Sequence, residues 1–231
     1  MGIYEKEANK MFDKEMVKSV VEGIVWLNHA MGIWAWIIPI IFAVAVLWQL
    51  IRCYRHPSPA NSRLLMAIYG VIYLYSGAMI FVGIDYMGNM AYVGAVALWS
   101  VGVIVLLDAV FGWTHVRLPE NRPLRYLSLF LILGGIFLYP LLEVATGFVY
   151  PRMVLFGAEC PTTISLIGLL IGSIPRVNRP LLILVSLNAI FTGTSFAING
   201  AVFDFFYAAA GVLGVLVMIV YFREIFMDSS A

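Results

Sequence analysis

The chain has 231 residues, 62% of them apolar and 12% charged, against about 45–50% apolar and about 25% charged in an ordinary soluble domain. This excludes a water-soluble globular protein, and the balance of 14 Lys and Arg against 13 Asp and Glu argues against a nucleic-acid partner, because duplex binding needs a concentrated basic face. Seven spans of about 20 apolar residues would use roughly 140 positions and leave no room for a soluble catalytic domain.

Residues 1–33 alternate Lys6, Lys10, Lys14 and Lys18 with Glu5, Glu7, Asp13, Glu15 and Glu22. They contain no apolar run of signal-peptide type, so no cleaved leader is expected. Phe12, Met16, Val20 and Ile24 recur every four residues, with Val17, Val21 and Val25 beside them. That is the stripe of an amphipathic interfacial helix, which would coat the outer headgroup layer or dock a partner.

Seven apolar stretches follow, approximately Trp34–Ile51, Leu64–Gly83, Ala91–Trp113, Leu124–Val144, Pro161–Ile174, Pro180–Ala197 and Phe203–Phe222. Backbone groups in hydrocarbon must pair within their own segment, and the alternation of a barrel strand is absent, so all seven read as helices. The expected fold is an all-α polytopic membrane bundle, with an amphipathic segment over 1–33, one transmembrane domain over 34–223 and a short cytoplasmic tail over 224–231. Under this topology Arg52, Arg55, Arg63, Arg117, Arg122, Arg125, Arg176, Arg179 and Arg223 fall on one side and Arg152 alone among the arginines on the other. Basic loops stay cytoplasmic, which puts the amino terminus outside and the carboxyl terminus inside; the four amino-terminal lysines run against the pattern. Lacking a transit-like leader, the chain is expected in a prokaryotic cytoplasmic membrane. Cys53 and Cys160 would lie on opposite sides, beyond disulfide reach.

Several membrane chemistries lack their residues. Lys6, Lys10, Lys14 and Lys18 are the only lysines, so no span offers a Schiff-base amine. His29, His56 and His115 all fall outside the spans, where paired histidines could not hold a haem. No HExxH, CxxC or Walker sequence occurs, and the methionines are too scattered for a copper path. No cofactor, metal ligand or catalytic residue is assigned.

The informative stretch runs from Leu138 to Ile174. Its helix is bracketed by Pro161 and Pro175 and has roughly fourteen residues, about 21 Å against a hydrocarbon layer of about 30 Å, so it is expected to begin inside the membrane. The preceding Val149–Gly157 is apolar yet contains Pro151 and Gly157, the pattern of a re-entrant segment bordering a cavity that opens outward. With Pro161 in the first helical position, Cys160 becomes the cap and Thr162 and Thr163 lie in the first turn. Such a helix start either satisfies its own hydroxyls or binds an anion with the help of Arg152.

Glu143 is costly within a span and therefore a functional candidate. It would pair with Arg152 as a structural bridge or serve gating or proton coupling. Asp108 is expected to be structural, meeting Arg117 or Arg125. Asn188, Thr192, Ser195 and Asn199 share one face of the sixth span, which serves interhelical hydrogen bonding or lines a solute path. Gly168 and Gly172 form a GxxxG pair suited to close helix packing.

The amphipathic start, the seven spans, Tyr150-Pro151, Phe156-Gly157, Cys160-Pro161-Thr162-Thr163-Ile164 and the Gly-Leu-Leu of Gly168–Leu170 together resemble an uncharacterised bacterial seven-helix membrane family, a domain of unknown function. The resemblance covers nearly the whole chain and implies its multi-pass fold, but no activity. In that family's pattern a histidine follows the glycine aligned with Gly147 and a proline precedes the cysteine. Here Phe148 and Glu159 stand there, so a role for that histidine does not carry over.

The leading expectation is a small-solute or ion transporter or channel whose outward-facing site comprises Glu143, Arg152, Cys160, Thr162, Thr163, Asn188 and Thr192. The alternative is a non-catalytic accessory or assembly subunit of a larger membrane complex, using the amphipathic helix and the GxxxG face. An enzyme with Cys160 as nucleophile ranks last, since no base lies at recognisable spacing. The expected partners are the lipid bilayer and a further copy or a larger complex.

Overall fold

A computed structural model describes residues 14–227. In chain order these form α1 (Lys14–Met31), α2 (Trp34–Arg55), α3 (Pro59–Val82), α4 (Ile84–Met87), α5 (Asn89–Phe111), α6 (Arg122–Leu133), a π-helical stretch (Gly134–Leu138), α7 (Tyr139–Ala145), α8 (Glu159–Gly172), α9 (Arg179–Ile198), a 3-10 turn (Val202–Asp204), α10 (Phe205–Val220) and a second π-helical stretch (Arg223–Met227). Phe12 and the first two lysines of the amphipathic segment, and tail positions 228–231, lie outside the described residues. The fold is all-α.

Six stretches are long and apolar enough to cross a membrane: α2, α3, Ala91–Phe111, Arg122–Ala145, α9 and Val202–Val220. The fourth of these carries Pro140 in its interior, where proline removes a donor and crowds the carbonyl four residues back. The chain absorbs it by widening into the π-helical stretch Gly134–Leu138 just ahead of α7. Beyond that stretch Tyr139 and Glu143 are both buried.

The remaining expected span, the fifth in chain order, is α8, with only 14 residues. Every residue from Pro161 to Gly172 is buried, because α3, α6, α9 and α10 surround it. A helix sheathed by protein answers to its neighbours rather than to bilayer thickness, which is why so short an apolar helix is tolerated. The contacts are close and specific. Tyr69 shares a 2.6 Å hydrogen bond with Ser165, and Tyr73 a 2.7 Å bond with Thr163. A Cβ at Gly168 would come within 2.8 Å of the Ser128 carbonyl and the Ile132 amide nitrogen. The GxxxG face is therefore occupied within the chain, by α6.

Helix α8 starts earlier than its proline suggested. Ala158 precedes it, Glu159 and Cys160 open it and Pro161 is its third residue, with the Thr162 amide donating to the Ala158 carbonyl at 3.3 Å. The first four N–H groups of a helix have no partner within it, so proline fits at the third position as well as the first. Cys160 is thus not the cap.

The connections 56–58, 112–121 and 173–178 gather at one end of the bundle. There the Val116 amide donates to the Ser62 hydroxyl (3.0 Å), the His115 amide to the Arg176 carbonyl (2.9 Å), and Asn121 to the Tyr221 hydroxyl (3.0 Å). Eight of the nine arginines outside the 146–158 segment lie on these connections or within about five residues of them, and Arg223 follows Tyr221, which Asn121 holds at the same end. Asp108, fully buried, accepts from the amide (2.8 Å) and hydroxyl (2.5 Å) of Thr114 rather than from Arg117 or Arg125. Arg125 instead donates to the Pro119 carbonyl at 2.8 Å. Both cysteines are free.

Candidate functional site

At the opposite end lies a cavity of about 410 Å³. Its roof is α1. Val17, Val20, Val21 and Ile24 line it, so the apolar stripe read as a headgroup-facing surface is turned into the protein. The reason is local. Trp26 packs on Tyr86 of α4 with ring centroids 5.2 Å apart. Asn28 donates through Nδ2 to the carbonyls of Pro151 (2.8 Å) and Met153 (3.0 Å), while the Tyr150 hydroxyl donates to the Asn28 carbonyl at 3.1 Å. Replacing Asn28 with alanine removes two of these bonds, each contributing about 1 kcal/mol, and should speed thiol modification of Cys160 beneath the roof by up to about thirtyfold. Stopped-time labelling of Cys160 checks this.

The far wall is the non-helical segment 146–158. It enters the protein as the Pro-Gly pattern suggested: Phe156 is 2% exposed and meets the Tyr69 ring edge-on. Gly157 has φ +111°, and a Cβ there would touch the Phe42 ring at 3.0 Å; glycine is required both for that backbone and for that approach. Irregular backbone at this depth needs internal partners. The Gly157 amide donates to the Thr162 hydroxyl at 3.0 Å, and the Val154 amide to both oxygens of Glu143 at 3.1 and 3.2 Å.

The cavity brings together Glu143, Arg152, Cys160, Asn188 and Thr192 but not Thr162 and Thr163. Those two are 1% exposed, the first holding the Gly157 amide and the second bonded to Tyr73. Arg152 is exposed and forms no ion pair with Glu143; Lys18 with Glu22, at 3.8 Å, is the ion pair found among the described residues. The α9 polar face divides. Asn188 donates to Glu159 and to the Tyr207 hydroxyl, both at 3.0 Å, and receives Thr192 at 3.3 Å. Ser195 instead bonds the Phe191 carbonyl of its own helix at 2.7 Å, and Asn199 the Ser195 carbonyl at 2.9 Å.

Three lining groups went unread in the sequence: Glu159, Asp204 and Tyr139. Asp204 is 2% exposed and accepts from the Tyr139 hydroxyl at 2.6 Å. The rule that singled out Glu143, a carboxylate inside an apolar stretch, applies equally to Asp204 at the head of the last span. Glu159 also changes the character of the helix start. The amino-terminal turn of α8 carries its own carboxylate, with Asp204 alongside, so the local charge disfavours the anion that a bare helix terminus would attract.

No curated protein and no solved structure is detectably similar to this chain. Residues 27–228 match the family of unknown function DUF6064. With nearly all of the described helices inside that match, the chain belongs to this family.

Proposed function

We propose that this protein moves a small solute or ion across the membrane through the cavity under α1. The observation that carries the reading is the pairing of a non-helical segment with a short helix that begins inside the bundle, both facing one cavity. Discontinuous helices of this kind line the substrate sites of many transporters, because irregular backbone in a membrane is tolerated where it borders a protein-lined space. Clustering of the arginine-bearing connections at the opposite end supports a cytoplasmic position for that end, and hence a cavity open to the outside. The accessory-subunit alternative has less support, since the two surfaces it would use, the α1 stripe and the Gly168–Gly172 face, are occupied within the chain.

Cysteine chemistry tests this directly. Cys160 lines the cavity, whereas Cys53 is fully buried at the arginine end. A membrane-impermeant thiol reagent added to intact cells should modify the wild type and not Cys160→Ser. Modification only after the inner face is opened would reverse the orientation, and an unreactive Cys160 in folded protein would remove the solute cavity.

A further inference from the structure

Resting on that reading, we infer that the occupant is a small organic cation with an apolar body. Glu143 and Asp204 are 1% and 2% exposed and, with Glu159, face the cavity. A buried carboxyl group stays ionised where a cation matches it and is otherwise neutral. Among the described residues none forms an ion pair with these three: Arg152 lines the cavity but is exposed and unpaired with Glu143, and the ion pair Lys18–Glu22 is on the surface of α1. Glu143 shares the single amide of Val154 between its two oxygens, and Asp204 accepts from the Tyr139 hydroxyl. A carboxylate with room for further donors, buried and facing an open volume, is a partner for an ammonium group.

The walls specify the rest of the ligand. Phe148 and Phe203 pack edge to face at 4.8 Å, and Tyr139 meets Phe203 at 5.6 Å; all three line the cavity. Ring faces next to carboxylates favour a substituted ammonium through cation–π attraction. The valines and Ile24 of α1 offer no hydrogen bonds and would take an apolar substituent. A volume of about 410 Å³ lies within the range of small-molecule sites, about 300–1,000 Å³, and far exceeds a bare monovalent ion. No group of His, Cys, Asp and Glu suited to a metal ion occurs among the described residues.

The experiment uses full-length protein in right-side-out membranes, with N-ethylmaleimide as a neutral reagent for Cys160 and two ring-sized probes of opposite charge. Benzyltrimethylammonium should slow modification by about tenfold near saturation, while benzenesulfonate leaves it unchanged. In Glu143→Gln the concentration of benzyltrimethylammonium giving half protection should rise by about tenfold or more, the loss expected when one partner of a close charge pair is neutralised. Equal protection by both probes, or protection by the sulfonate alone, overturns the cation assignment and leaves the cavity standing. Unreactive Cys160 without any probe overturns the solute cavity itself, and the cation with it. The comparison of probes is made on the wild type, so it holds even if Glu143→Gln does not fold; Asp204→Asn then serves as the second variant, with the same expected rise.

Discussion

Replacing Gly168 with alanine should lower the stability of the protein by about 1–3 kcal/mol, while the same change at Gly94 leaves it unchanged or raises it. At Gly168 the added methyl meets the Ser128 carbonyl, the Ile132 amide and Leu131 Cβ, each at 2.8 Å. Two of these are backbone atoms and cannot rotate away, so α6 and α8 must separate and lose the dispersion contacts that hold helices together in lipid. At Gly94 the nearest atom is Ile80 Cγ2 at 3.4 Å, an ordinary contact, and alanine gains about 0.5–1 kcal/mol over glycine within a helix. Thermal unfolding of the two variants in detergent, followed by retention of monodisperse protein, distinguishes them. Equal melting of both would mean that α6 and α8 are not packed this closely.

Asn188→Leu should cost about 1–3 kcal/mol, the penalty for leaving a buried polar group without its donor, whereas Ser195→Ala should fall within about 0.5 kcal/mol of wild type. The two residues belong to the same polar face by spacing, yet they do different work. Asn188 ties Glu159 and Tyr207 to α9, and its loss leaves the Glu159 oxygen with only the Tyr207 hydroxyl, at 3.5 Å. Ser195 returns its hydroxyl to its own helix, and removing it strands no partner. A larger effect at Ser195 than at Asn188 in the same unfolding assay would contradict this division.

That contrast shows where the sequence was legible. Apolar runs placed the seven spans to within about five residues at either end, because every span must pair its own backbone and those runs mark where that happens. The short fifth span, and a non-helical stretch over Val149–Gly157 that enters the protein, followed from proline and glycine positions for the same reason. Spacing alone did not reveal which polar residues converge. Ser195 and Asn188 lie on one face, but the bond a hydroxyl makes with the carbonyl four residues back is invisible in a helical wheel. Arg152 looked like the natural partner of Glu143 nine positions before it, yet the turn at Val149–Arg152 presents the Val154 amide to that carboxylate instead. The direction of the α1 stripe was equally hidden. An apolar face suits lipid or protein alike, and only the anchoring of Asn28 to residues more than a hundred positions away turns it inward.

The burial of α8 from Pro161 to Gly172 also constrains how the protein is made. A helix with Glu159 at its head and 14 residues in all is a poor substrate for insertion as an independent transmembrane unit. Two of the helices that enclose it, α9 and α10, are synthesised after it. The enclosure of α8 is therefore complete only once α9 and α10 have been synthesised. The chain becomes a closed bundle only when its last span has been delivered, and a ribosome that stops before α10 releases a product whose central helix has no housing.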